Sequence, residues 1–274
     1  MSEFGKQREG MESKEHEKMR TCAILEYVGD RPTQQDAYAI EQRKFDNALS
    51  ILAAVADGHG VNGATMSEQA VRELIHAIGD SLPTNEQIVE IFQRIHEGLA
   101  QQEKTSGTTL TLTIINQNEI LTAHVGDSEA RLIKVDGSSL SLAPSHRVGR
   151  NAAESERLQK AAAVINDGYI TANNDTLEIS RSLGDPLLSE YVSHVPDISK
   201  TPLSPDDRFV LIGSDGFWDF FEEEEGRQAI EAVFREATDA KDLKRRLQEL
   251  MGPWRLGDNL TLIIAELPQA PDRA

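Results

Sequence analysis

The sequence is short of positive charge, has a single cysteine and lacks any long apolar run, and each shortage closes off a class of function. Against 46 acidic residues stand only 28 lysines and arginines, a formal net charge of -18. Nucleic acid and anionic membranes recruit proteins through a basic footprint, so neither is an expected partner. Phosphate stays within reach of an acidic chain if metal ions supply the positive charge. With Cys22 alone no intramolecular disulfide can form, and a reducing, cytoplasmic setting is expected. No segment is apolar for long enough to span a bilayer and no signal-peptide core opens the chain, so a soluble protein without membrane insertion is expected. There is no Walker A loop, no set of kinase motifs, no His/Cys cluster at zinc spacing and no D-x-D-x-D-G calcium loop. A cysteine-nucleophile phosphatase needs Cys-x5-Arg, but Val28 stands at that distance from Cys22, and CAILEYV reads as a strand.

What is present reads as one catalytic domain over 21–268, with a polar, disordered tail at 1–20 and a short tail at 269–274. TCAILEYV, DAYAIEQR and LSILAAVAD read as strands, the last a buried one that ends in DGHG. Two helices follow. Thr65 and Glu68 in capping-box spacing open the first, with Val71, Leu74, Ile75 and Ile78 on one face. Thr84 and Gln87 repeat the device ahead of Ile88, Ile91, Phe92, Ile95 and Leu99. GTTLTLTIIN, EILTAHVG and EARLIKVDG then read as an antiparallel meander. RFVLIGSDG and NLTLIIAEL supply two more strands, with helices near 223–237 and 241–251 between them. The acidic run Glu222–Glu225 suits a solvated helix N-terminus. Strands grouped with strands, and helices with helices, indicate an α+β fold on mainly antiparallel sheets.

The informative feature is where the acidic residues fall. Asp57 ends LAAVA, Asp127 sits in VGDSEAR, Asp185 in SLGD, Asp215 ends FVLIG, and Asp258 precedes NLTLIIA. Asp-Gly is also the commonest turn chemistry, so any one of these alone reads as a tight turn. Together they suggest carboxylates converging on one sheet edge, where they repel unless cations lie between them. Oxygen ligands of this kind suit Mg²⁺ or Mn²⁺.

The ordered set RPTQQDA, VADGHG, SGTTLTLTII, HVGDSEARL, ISRSLGD, IGSDGFWD and GDNLTLII resembles the PPM family of metal-dependent protein serine/threonine phosphatases (type 2C). The resemblance runs from about Arg31 to Leu267 and implies a four-layer αββα sandwich of two mainly antiparallel sheets flanked by helices. It implies two Mn²⁺ or Mg²⁺ ions, with Asp57 bridging, the Gly58 carbonyl as a further ligand, Asp215 and Asp258 completing one site, and Asp36 in the same cluster. A third, weaker ion found in many relatives would fall to Asp127, with Asp219 or Asp185 as partner. Hydrolysis would proceed by attack of a metal-bridging hydroxide without a covalent intermediate. Arg31 would clamp the phosphate and His59 would protonate the departing serine or threonine oxygen. Each residue also has a plainer reading: Arg31 as a surface ion pair, His59 as a structural histidine.

Thr108 and Thr109 are expected to support the site from a strand. Arg181 either orders the loop around Asp185 or pairs with a surface carboxylate. The sequence departs from the family pattern at Gln35, where many relatives have glutamate, and at Ser145, where an aspartate commonly precedes the position of His146. Between Arg147 and Thr176, the region of a substrate-dependent flap in the family, the match is loose. The implied partners are phosphorylated proteins, in opposition to a serine/threonine kinase, with the chain acting as a monomer. A non-catalytic relative serving as a binding scaffold is the competing reading; the retained Asp57, Asp215 and Asp258 weigh against it.

Overall fold

A computed structural model describes residues 21–45, 48–222, 224–252 and 256–268; the two tails read from the sequence, and the side chains of Glu222–Glu225, lie outside the described residues. The first half of the chain forms β1 (Cys22–Tyr27), β2 (Asp36–Phe45), β3 (Ala48–His59), α1 (Gly63–Ala77), α2 (Asn85–Gln102), β4 (Gly107–Thr108), β5 (Leu110–Ile115), β6 (Glu119–Val125), β7 (Glu129–Lys134) and β8 (Ser139–Ser141). The second half forms α3 (Ala152–Lys160), β9 (Ile165–Asn166), β10 (Tyr169–Ala172), β11 (Asp175–Leu177), β12 (Leu183–Gly184), β13 (Asp197–Pro202), β14 (Asp207–Gly213), α4 (Asp215–Glu222), α5 (Glu224–Glu236), α6 (Ala240–Met251) and β15 (Leu260–Glu266).

The long apolar run of β3 is explained by burial on both faces. Leu52, Ala54 and Ala56 pack with Leu74, Phe92 and Ile95 of α1 and α2. The alternate residues Ile51, Ala53 and Val55 pack against Ala130, Leu132, Val210, Ile212 and Ile263 of a second sheet. That second sheet turns its other face, with Leu211, Leu262 and Ile264, onto Trp218, Phe234, Leu243 and Leu247 of α4–α6. Period-two alternation thus builds helix, sheet, sheet and helix in succession, the αββα sandwich. Each Leu or Ile withdrawn from water this way contributes about 1.5–3 kcal/mol. The first sheet runs β12-β4-β3-β5-β6-β13 with β2 paired to β3, and the second runs β1-β15-β14-β7-β8.

Several local expectations need correction. The three runs read as a meander do not share a sheet: β5 and β6 pair antiparallel, but β7 pairs with β14 and β8. The GDS segment therefore crosses from one sheet to the other, which places Asp127 between the layers. Helix α1 begins at Gly63 after Asn62, without a side-chain cap, so Thr65 and Glu68 lie inside it. For α2 the Thr84/Gln87 capping box is present, and Ile88, Ile91, Phe92, Ile95 and Leu99 are buried. Two helices were not read from the sequence, α3 and α4, the latter opening at Asp215 itself. The loosely matching region folds into α3 and a small sheet, β11-β10-β9, over a core of Val148, Leu158, Ile170, Leu188 and Val192.

Candidate active site

A cleft of about 310 Å³ is lined by Arg31, Gln35, Asp57, Gly58, His59, Asp127, Asp215 and Asp258, with Tyr169 and Thr176 of the loosely matching region, and Glu178 just beyond it, at its side. The register explains the convergence. On β2 and β3 Asp36 stands directly opposite Asp57, a placement that is unfavourable for like charges. Asp215 follows β14 and Asp258 precedes β15, and these two strands are neighbours in the opposing sheet. Ser214 ties the sheets together: its hydroxyl donates to Asp36 Oδ2 at 2.7 Å and accepts the Thr261 N–H at 3.0 Å.

Backbone packing holds the ligand strand in place. The Thr109 hydroxyl accepts the Asp57 N–H at 2.9 Å and the Thr108 hydroxyl donates to the Asp57 carbonyl at 3.0 Å, the supporting role expected of both. A Cβ at Gly58 would lie 2.0 Å from the Gly63 carbonyl, so only glycine lets β3 meet the start of α1. Gln35 serves this corner too: its carbonyl accepts the Gly58 N–H at 3.0 Å, and its side-chain amide donates to the Gly60 carbonyl at 3.0 Å. Asn259 donates to the Val28 and Thr33 carbonyls and accepts the Gln35 N–H, fastening the Arg31 loop to β15.

The carboxylates are electrostatically uncomfortable. Burial, against the pull of the Ser214 hydrogen bond, pushes Asp36 up to about 6. Burial and the charges of Asp215, Asp36 and Asp127 push Asp57 well above the usual range. Burial and the Asp127 charge push Asp215 up to about 8 despite Arg147. Two carboxylate oxygens, Asp36 Oδ1 and Asp215 Oδ1, are buried with no hydrogen-bond partner. Orphaned anionic oxygens in a crowded, partly desolvated cluster are what a hard divalent cation would satisfy, so these residues fit the implied metal.

Arg31 Nη2 donates to Asp258 Oδ2 at 2.5 Å, with its side chain 54% exposed at the cleft. His59 ends β3 opposite Gly107, and its Nε2 meets the Asp185 carboxylate at 2.8 and 2.9 Å. Gly107 makes room for this contact, since a Cβ there would lie 2.1 Å from Asp185 Oδ2. Asp185 is held in the left-handed region, φ 51°, and accepts a short hydrogen bond from the Ser182 hydroxyl. Burial works against a charged His59 ring, but the Asp185 carboxylate outweighs it and raises the pKa.

Asp127 and Asp219 are not paired with each other; both meet Arg147. This arginine is the functional side chain that reading the sequence missed, and the one signal for it was a basic residue directly after His146 in an acid-rich chain. Arg181 does not order the loop through Asp185: it pairs with buried Glu154 at 2.6 Å and with Asp197 at 2.7 Å. Behind the Asp127 turn His124 and His146 stack, ring centroids 4.4 Å apart. With Asp197 they form a group that could hold a metal ion by proximity. Three of their four ring nitrogens are already engaged, however: His146 Nδ1 accepts the Gly126 N–H, its Nε2 donates to Asp197, and His124 Nε2 donates to the Pro144 carbonyl. The pair braces the segments that carry Asp127 and Arg147.

Sandwich and cleft set a cluster of carboxylates beside an exposed arginine, Arg31. The chain belongs to the protein phosphatase 2C family, whose model matches residues 31–251. It is 25% identical over 252 residues to "Probable protein phosphatase 2C 52" of Oryza sativa subsp. japonica, covering 90% of this chain and 50% of that protein. It is 26% identical over 248 residues to "Probable protein phosphatase 2C 71" of Arabidopsis thaliana, covering 86% of this chain and 53% of that protein. The chain thus spans about half the length of these two relatives. Among solved structures it resembles serine/threonine phosphatase Stp1 from Staphylococcus aureus, TM-score 0.67 at 20% identity, covering 92% of this chain and 96% of that one. It also resembles the PPM Ser-Thr phosphatase MsPP from Mycobacterium smegmatis, TM-score 0.63 at 24% identity, covering 90% and 98%. At these identities the structural likeness speaks for the fold. Among the described residues no helix is long and apolar enough to cross a membrane.

Proposed function

We propose that the chain is a metal-dependent protein serine/threonine phosphatase that transfers the phosphoryl group of phosphoserine or phosphothreonine directly to water. One observation carries this reading: Asp57, Asp215 and Asp258 meet Arg31 and His59 at a single cleft, with Asp36 directly opposite Asp57. Asp36, Asp57, the Gly58 carbonyl, Asp215 and Asp258 would hold two Mn²⁺ or Mg²⁺ ions. Bound there, the ions supply a water acidic enough to act as nucleophile near neutral pH and charge to offset the phosphoryl oxygens.

The chain's own groups do the rest. Arg31 is exposed enough to exchange Asp258 for a phosphate dianion, which a guanidinium grips with two parallel hydrogen bonds. Because the Nε2–H of His59 donates to Asp185, the nitrogen left to protonate the departing serine or threonine oxygen is Nδ1 of the charged ring. Asp185 keeps the ring oriented and favours its charged form. Cys22 lies on β1 and is absent from the cleft lining, in keeping with a reaction without a cysteinyl-phosphate. The substrates are phosphoproteins made by a serine/threonine kinase, and the net charge and lone cysteine suit a cytoplasmic monomer that does not bind nucleic acid.

The test is hydrolysis of a phosphothreonine peptide with Mn²⁺, with Mg²⁺ and with chelator, beside an Asp215→Ala control. Turnover that needs both metal and Asp215 is expected. A folded, metal-binding protein inactive under every condition would leave a scaffold in place of an enzyme.

A further inference from the structure

Arg147 is buried, its side chain only 7% exposed, and it is the meeting point of three carboxylates from two elements. Its Nε donates to Asp127 Oδ2 at 3.1 Å, its Nη2 to Asp215 Oδ2 at 2.8 Å, and its Nη1 to Asp219 Oδ1 at 2.6 Å; Nε also lies 3.5 Å from Glu178 Oε1. Asp215 and Asp219 are one turn apart on α4 and so share a face, while Asp127 comes from the crossing between β6 and β7. The backbone of Arg147 is fixed as well: it bridges Ile179 in antiparallel fashion, and its N–H donates to the Ser145 hydroxyl at 3.2 Å. His146, the residue just before it, is stacked on His124.

A guanidinium cannot lose its proton in a protein and presents a planar fork of donors suited to several carboxylates at once. Here every nitrogen of the fork is engaged. The family resemblance assigned a third, weaker ion to Asp127 with Asp219 or Asp185 as partner; Arg147 pairs with Asp127 and Asp219, and Asp185 is taken by His59. A divalent ion between Asp127 and Asp219 would have to displace the arginine from both and strip a buried charge of two of its carboxylate partners, which is strongly unfavourable. Charge balance points the same way. The carboxylates of Asp36, Asp57, Asp127, Asp215, Asp219 and Asp258 are matched by two divalent ions together with Arg31 and Arg147, with no need for a third ion.

We propose that Arg147 is a resident cation in the third-ion place, so that Asp127 and Asp219 serve as anchors for a side chain rather than as metal ligands. The inference rests on the metal-centre reading above for the two other ions, and the experiment separates the two. Mn²⁺ bound per chain is counted by electron paramagnetic resonance of the free ion during titration of the metal-free protein. Compared are wild type, Arg147→Ala, and Arg147→Ala combined with Asp219→Asn, each checked for folding by circular dichroism. Arg147→Ala is expected to take up one more Mn²⁺ than wild type, weakly, and the added Asp219→Asn to remove that gain. No gain in a folded Arg147→Ala overturns the inference, whatever the wild-type count. A wild-type count below two defeats the two-ion reading instead.

If Arg147→Ala does not fold, Asp219→Asn in the wild-type background decides the matter. An unchanged Mn²⁺ count and affinity is expected when Asp219 holds the arginine. Loss of one bound ion would make Asp219 a ligand and overturn the inference.

Discussion

Asp36 and Glu154 are both buried carboxylates, yet the protein pushes one up to about 6 and pulls the other down to about 2. Burial raises both. Asp36 is compensated by neutral hydroxyls, chiefly Ser214, with Asp57 directly opposite, and one of its oxygens is buried without a hydrogen bond. Glu154 accepts from Arg181 at 2.6 Å, from Arg157 at 2.8 Å and from the Ser180 hydroxyl at 2.8 Å, and these together outweigh its burial. Where the chain carries its own cations a buried acid is a fastener, here holding α3 to the segment before β12. Where it carries none, the acid is stressed, and the missing charge has to come from outside the polypeptide. The Asp127–Arg147–Asp219 group beside the stressed cluster shares the arginine–carboxylate contacts of the Glu154 network, but there burial outweighs Arg147 and still holds Asp127 above the usual range.

The comparison breaks most visibly at the stressed end. Asp57→Asn is expected to lower kcat by more than the roughly 10–100-fold that outer-shell changes around a metal cost. The same substitution relieves repulsion, so it should stabilise the metal-free protein by about 1 kcal/mol, a rise of about 2–4 °C in Tm. Mn²⁺ should raise the Tm of wild type and do less for the variant. Calorimetry with and without chelator, beside phosphopeptide turnover, reads all three, and a variant less stable than metal-free wild type would contradict the account of Asp57.

Between the extremes stands Asp185, a carboxylate whose partner is a histidine that can itself titrate. Asp185→Asn should reduce kcat on phosphothreonine peptide by about 10²-fold, at the lower end of what general acid–base catalysis contributes. The loss should be much smaller on an aryl phosphate, whose leaving group does not need a proton. Equal losses on both substrates would show that Asp185 supports the fold and not proton donation by His59.

The smallest effect belongs to the satisfied acid and falls on stability alone. Glu154→Gln should cost about 2–3 kcal/mol at pH 7 in urea denaturation and leave metal-dependent kcat unchanged. Because the folded-state pKa is depressed from 4.5 to about 2, the stabilisation is fully present above pH 4.5 and fades as the pH falls through about 2. The difference between wild type and variant should therefore close over that window. A difference that persists unchanged at acid pH would assign the effect to packing.

Much of this was legible because it is local. The Thr84/Gln87 cap and the 3.6-residue spacing of Ile88 through Leu99 define α2 without reference to the rest of the chain. The unbroken run of β3 marked a strand buried on both faces, and the acidic residues beside glycines marked where strands end. The misreadings share one cause, which is that spacing along the chain does not say which sheet a strand joins. GDS looks like a hairpin turn, but β7 pairs with β14 of the second sheet and not with β6. Asp215 read only as a strand end, although α4 begins there and so carries Asp219 around to the same face.

The sequence by itself determined the two-faced burial of β3, the pairing of α1 with α2, and the acids placed at strand ends. Those follow from period and propensity over a few residues. Only the tertiary structure decided that Asp36 would face Asp57, that Asp185 would reach His59 over Gly107, and that Arg147 would pair with Asp219, 72 residues away. A charge's partner is set by distance through a low-dielectric interior, and no local pattern in the chain records that distance.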